Sequence, residues 1–287
     1  MKKKIIPLVI ASTLLVGCSS SSAVNYSSEV SDGDKTAINI DGTEINKNDI
    51  YHYLLEKYGS SEVLSLALTY IADQEITDED AYNTKLNETI AEQKESAGVT
   101  SLDDIAKQYG LENEQEYIDK VLSVGVKQEM LKEKYIDKNY KKLIKEYKVK
   151  YLKTITVDTE AGAKKILEQI KDGSDFDTIM NENGGSDAGM VTTETTTVDE
   201  NIIKKLDKFT KDGAYEKVIK TSDSKYAIVY VYNTDTSAVT DEIKSNLATI
   251  SDMSTKVESY YLKQYNFTIN EKAIEDEINE SQPDYLG

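Results

Sequence analysis

A chain of 287 residues with a formal charge of −18 does not suit a phosphate backbone, so nucleic acid is not an expected partner. It has no arginine, which argues against dedicated bidentate carboxylate or phosphate sites. One cysteine and one histidine leave no Cys/His set for a metal and no intrachain disulfide, so neither metal nor cofactor is expected.

The chain opens on Met1-Lys-Lys-Lys, then an uncharged apolar run over 5–17. Thirteen residues are too few to span a bilayer, which takes about 20. A basic start and a short apolar core predict a secretory signal peptide over 1–17. The lone cysteine ends it, in Leu15-Val16-Gly17-Cys18, and a serine tract follows. This tetrapeptide resembles the lipobox of bacterial lipoproteins. Cys18 is therefore the expected lipidation site and first mature residue. Two acyl chains on its sulfur would anchor the protein stably where one binds marginally. Residues 18–35, rich in Ser, Gly and Asp, are predicted to be a flexible tether.

Alternating apolar residues around Asp41-Gly42 predict a hairpin over 36–45. A helix capped by Asn48 is expected next, stopped at Gly59, and a second over 60–76. Thr77-Asp-Glu-Asp is a cap-like start for an acidic stretch up to Gly98. Ser101-Leu-Asp-Asp104 has capping-box spacing and leads a short helix to Gly110. Helical spacing then runs from Glu114 to about Lys148 and presents a core face. At Val149 the pattern becomes β-branched and alternating through Val157. A helix, a Lys-Asp-Gly stop and a second helix are expected over 161–180, with a glycine-rich turn over 183–189. A helical stretch over 201–209 and a strand over 225–233 complete a β-α-α-loop-α-β order. Helix returns over 239–264, and 267–278 reads as an extended piece with a last amphipathic turn or two. The fold class is thus α+β: a mostly helical domain from 36–148 and 239–278, with a small α/β domain over 149–235 inserted in it.

Residues 149–235 resemble the parvulin peptidyl-prolyl isomerases, and the whole chain resembles the PrsA family of extracellular foldase lipoproteins. TITVDTEAGAKKIL, IKDGSDFDTIM, GGSDAGM and TSDSKYAIVYV carry the parvulin likeness, in that order. INIDGTEINKNDIYHYL and YNFTINEKAIEDEI resemble the opening and closing segments of a SurA-like chaperone domain. The resemblance implies two histidines on the central strands. Here those positions fall on Thr154 and Ala227, and the Met and Phe of the family's prolyl pocket have no clear match. Asp187 falls near the family's acidic position, in a turn one residue longer. The chain's one histidine, His52, lies far away in the helical part.

Prolyl isomerisation needs no covalent step; its barrier of about 18–20 kcal/mol comes from amide resonance. A catalyst favours the twisted amide through a polar floor, to which Thr154 could give one hydroxyl and Ala227 nothing. The expected function is a lipid-anchored foldase on the extracellular face of the bacterial cell membrane, with a degenerate isomerase domain. Its partners would be unfolded, newly exported polypeptides and, through Cys18, the membrane; a dimer is compatible with this reading. Without a nucleotide motif, no ATP is expected. An active isomerase with substituted catalytic residues, and a solute- or surface-binding lipoprotein, are the alternatives.

Overall fold

The computed structural model describes residues 30–286. The signal peptide, Cys18 and most of the tether lie outside the described residues. In chain order the elements begin with β1 (Thr36–Ile40), β2 (Thr43–Asn46), α1 (Lys47–Glu75), α2 (Glu79–Ala97), α3 (Asp103–Gln108), α4 (Glu114–Tyr117) and α5 (Ser123–Glu146). The middle of the chain forms β3 (Lys150–Val157), α6 (Glu160–Lys171), α7 (Phe176–Glu182), β4 (Ser186–Val191), α8 (Glu200–Ile203), β5 (Gly213–Ala214), β6 (Ile219–Lys220) and β7 (Tyr226–Tyr232). Then come α9 (Thr240–Ala248), α10 (Met253–Gln264) and α11 (Lys272–Ser281). Two compact units result. One takes the described residues up to Val63 with Thr268–Pro283; the other takes Leu64–Phe267 and the chain from Asp284.

In the first unit, Asp41 and Gly42 both adopt positive φ, 51° and 84°, and close the β1–β2 hairpin as a turn of the type I′ kind. Residues 30–35, expected in the tether, instead make a hydrogen-bonded turn. Val30 N–H donates to the buried Asn48 Oδ1, and Gly33 N–H to the Val30 carbonyl. Asn48 therefore does not cap α1. Asn46 and Asp49 do, each side chain accepting the other's backbone N–H at 2.9 Å. Nor does Gly59 end the helix, since α1 is unbroken for 29 residues. A side chain at Gly59 would meet Ile274 of α11 at 3.0 Å, so the glycine permits close packing rather than a stop.

In the second unit, Asp78 caps α2 by accepting Ala81 N–H, and Gly98 closes it in the left-handed conformation. The expected Ser101–Asp104 box does not form. Ser101 pairs with Asp103, whose other carboxylate oxygen accepts Glu114 N–H. From Glu114 to Glu146 the helical spacing is realised as α4, a π-helical turn over Ile118–Leu122, and α5. The helix expected over 239–264 is interrupted between α9 and α10, and both pieces lie along α5. The final helix, α11, which belongs to the first unit, is longer than the turn or two expected, at ten residues.

The sheet is antiparallel in order β4-β3-β7-β5, with β6 also on β7. Part of the expected glycine-rich turn is strand β4, and the expected 201–209 helix is one α turn and a short 3-10 turn. The short strands β5 and β6 escaped the periodicity because two residues hold no alternation. Alternation gives the sheet two apolar faces. Ile155 and Ile228 pack under α6 and α7, with Ala163, Ile166, Phe176 and Ile179. Leu152, Ala227, Val229 and Val231 pack on the other side with Ile202, Leu206 and Phe209.

Candidate active site on the central strands

Thr154 pairs with Val229 across β3 and β7, and Ala227 pairs with Thr156. Even-numbered residues of β3 and odd-numbered residues of β7 share a face, so Thr154 and Ala227 are diagonal neighbours on one side of the sheet. Such neighbours are about 7–8 Å apart, within reach of long side chains. That face is apolar and filled: Ala227 and Val229 are completely buried against Leu206 and Phe209. Thr154 is half-buried and pairs on its other edge with Ser186 of β4.

Asp187 does not join them. The β3–β4 register slips between Leu152 and Lys153, which face Gly189 and Asp187 and leave Ala188 unpaired. One extra residue in a strand turns the side chains beyond it to the other face. Asp187 consequently meets Tyr232, whose phenol donates to its Oδ1 at 2.7 Å, on the α6–α7 side. Burial pushes the Tyr232 phenol well up, and the Asp187 hydrogen bond and charge push it further.

That side carries a polar network which the sequence patterns did not reveal. The Tyr151 and Tyr232 rings meet at a tilt of 59° with centroids 5.5 Å apart, and the Tyr151 phenol donates to Glu242 of α9 at 3.0 Å. Lys153 sits 5.3 Å over the Tyr232 ring and donates to Asp177 of α7 at 2.6 Å, which holds its ammonium above the ordinary lysine range. Alternation alone places Tyr151 and Lys153 on one face. Finding their partners needs the register with β4 and β7.

His52 is in α1, its ring centroid 5.8 Å from that of Tyr51, and takes no part in this site. Among the described residues no three His, Cys, Asp or Glu side chains converge as a metal site. A cleft of about 360 Å³, lined by Met190, Thr192, Thr195, Asn246 and Thr249 among others, touches none of Thr154, Asp187 and Ala227. No described helix is long and apolar enough to cross a membrane.

A five-strand antiparallel sheet with two helices on one face and a short helical cover on the other belongs to a known class. Residues 131–244 match the family of PPIC-type PPIase domains. Beyond that domain, the chain shares its fold with the peptidylprolyl isomerase PrsA from Bacillus cereus. The likeness has a TM-score of 0.53 and 19% identity, over 87% of this chain and 99% of that one. PrsA from Bacillus subtilis is similar at TM-score 0.42 and 16% identity, over 86% of this chain and 99% of that one. The foldase PrsA from Streptococcus pneumoniae gives 0.40 and 20%, over 85% and 98%. No curated protein matches the chain.

Proposed function

We propose that the chain is a membrane-anchored extracellular foldase that assists exported proteins as a holdase, and that its isomerase-type domain has lost most of its catalysis. The observation that carries this reading is Ala227. A fully buried methyl group occupies the position where the parvulin likeness implies the second histidine. The face around it is packed with aliphatic and aromatic side chains, so it has no polar floor to distinguish a twisted amide from a planar one. Only interactions stronger in the transition state lower a barrier. Thr154 retains one hydroxyl beside this face, and Asp187 is turned to the other.

A holdase needs exposed apolar surface on a soluble body. The first unit exposes Ile38, Ile40, Tyr53, Leu54 and Tyr58, with Ile40 at 61% and Tyr53 at 57%. Tyrosine gives broad amphipathic contact at low entropic cost, which suits promiscuous binding of unfolded chain. The strong negative charge favours solubility of the complex. Lipid on Cys18 would keep it at the membrane surface where exported chains emerge. Within this reading 36–148 with 239–278 form the chaperone body and 149–235 the isomerase-type insert.

The test combines two assays on the mature protein. It should suppress aggregation of an unfolded model protein without ATP and leave X-Pro peptide isomerisation near its uncatalysed rate. Absence of suppression removes the holdase, and rapid isomerisation removes the degenerate site.

A further inference from the structure

α5 carries a row of lysines along its outer face. Lys138, Lys141 and Lys145 recur at intervals of three and four, so they stack on one side of the helix over about 10 Å, and Lys142 flanks them. All four are exposed, while Ile136 and Leu143 are buried on the opposite side. The chain has 52 acidic residues to 34 lysines, yet among the described residues no carboxylate lies within ion-pair distance of these four. The acids beside the row are turned to other elements: Asp137 pairs with Lys244 of α9 at 2.7 Å, and Glu146 with Lys256 of α10 at 2.6 Å. Lys138 rests over the Tyr260 ring at 5.3 Å. The helix dipole favours cations only in the last turn, which accounts for Lys145 but not for Lys138 and Lys141. We propose that this row is a docking surface for an anionic lipid bilayer, holding α5 against the membrane in which Cys18 is anchored.

The chemistry of the row selects its partner. An ammonium group is a compact point charge without the planar fork of a guanidinium, so a line of four suits a diffuse layer of phosphates rather than one shaped ligand. Each lysine close to an anionic lipid surface favours the bound state by about fivefold. The acidity of the rest of the chain does not forbid the contact, because at physiological salt exposed charges more than about 8 Å away are largely screened. Residues 18–29 separate the lipid from the first described residue, and a segment of that length reaches at most about 40 Å. The anchor thus keeps the body close enough to touch the bilayer repeatedly. The inference rests on the anchored reading for its setting, whereas the contact itself can be measured without the lipid.

The test is co-sedimentation of the mature chain, carrying Cys18→Ser and therefore free of lipid, with vesicles. This parent protein should bind phosphatidylcholine vesicles containing about 30% phosphatidylglycerol at about 50 mM salt, and should not bind pure phosphatidylcholine. Lys138→Gln, Lys141→Gln, Lys142→Gln and Lys145→Gln together should lower the binding by at least about tenfold. A control removes four other exposed lysines that have no ion pair among the described residues, through Lys165→Gln, Lys217→Gln, Lys220→Gln and Lys263→Gln. It changes the net charge equally and should bind nearly as the parent does. Added salt should release the parent more steeply than the row variant. Absence of parent binding to the anionic vesicles overturns the docking surface, as does an equal loss in the two variants. Binding of soluble polyphosphate through the row, with the vesicles left free, overturns the bilayer as its partner. None of these outcomes bears on lipidation, which is read separately by fractionation of Cys18→Ala.

Discussion

Asp187 accepts the Tyr232 phenol at 2.7 Å on the side of the sheet opposite to Ala227. A single unpaired residue, Ala188, is responsible. It divides the three positions that the parvulin likeness groups, leaving Thr154 and Ala227 together and tying the carboxylate into a network with Tyr232. An acidic residue engaged there cannot reach a peptide bound over Thr154. The slip is consistent with a site that has ceased to be held together.

Isomerase activity should therefore be weak in the wild type and insensitive to Asp187→Asn. Ala227→His should be costly by itself. Adding an imidazole to a completely buried alanine overpacks the core, by about 1–3 kcal/mol, and leaves its polar atoms unmatched. Thr154→His with Ala227→His gives the second ring a diagonal partner and should recover part of that loss. A peptide isomerisation assay and chemical denaturation of the three variants check this. Robust wild-type turnover would mean that the chemistry resides elsewhere.

The adjacent glycines of the 183–189 segment should respond differently to alanine. Gly184 has φ of +66° and open space around it, so Gly184→Ala pays only for the left-handed backbone, about 1–2 kcal/mol. At Gly185 an added Cβ would lie 2.5 Å from the Thr154 carbonyl oxygen and 2.6 Å from Met180 Cγ. The backbone cannot yield as a side-chain end can, so Gly185→Ala should be the more damaging and displace β4 from β3. Urea unfolding of the pair decides it; equal losses would refute the contact argument.

Much of this was legible in the sequence because the signals were local. Asp41-Gly42, the cap-like Thr77-Asp-Glu-Asp run, the Gly98 stop and the β-branched run at 149–157 each specify structure within a few residues. The misreadings share a different cause. Gly59 looks like a terminator until Ile274, more than two hundred residues on, is seen to pack against it. Asn48 looks like a cap until its carboxamide is found holding Val30. β5 and β6 are strands only because β7 offers them an edge. For the site, the absence of histidine at 154 and 227 was plain from the sequence, whereas the turning of Asp187 needed the register.

Stability should carry an acid-sensitive contribution from Glu75. It accepts from Lys134 and from the Tyr265 phenol, each at 2.9 Å, and its side chain is 16% exposed. Lys134 hydrogen bonding lowers its carboxyl below the ordinary value, against the opposing effect of burial, with Tyr265 helping. A depressed folded value means that the contribution is whole above the unfolded value and fades as pH falls through the folded one. Glu75→Gln should thus cost about 1–3 kcal/mol at neutral pH and progressively less below about pH 4. Denaturation curves of both proteins across that range provide the check; a gap that widens on acidification would contradict the assignment.

Anchoring can be read by fractionation. Cys18→Ala should leave the protein as uncleaved precursor or shed it into the medium, because no other thiol exists to take the lipid. Processing and membrane retention like the wild type would refute lipid anchoring.

The last expectation concerns residues 239–287. Removing them should unfold or severely weaken the helices around α5 and leave the sheet comparatively intact. α10 supplies Tyr260, whose ring meets Tyr135 of α5 edge-on at 5.1 Å, and Lys256, which pairs with Glu146 at 2.6 Å. Just before it, Asp252 accepts the phenol of Tyr147, a residue 3% exposed. Leu247, Met253 and Leu262 are completely buried, so deletion uncovers a core face rather than a rim. Fully burying each such side chain is worth roughly 1.5–3 kcal/mol, and the three together rival the net stability of a small domain. The sheet loses much less: its strands end at Tyr232, and among the described residues the side-chain tie from its strands to that segment is the Tyr151 hydrogen bond to Glu242. Residues 149–235 expressed alone should accordingly fold, while the chain ending at Asp235 should show early loss of helical circular dichroism on heating. Unchanged helical stability after the deletion would show that the two ends of the chain do not build one domain.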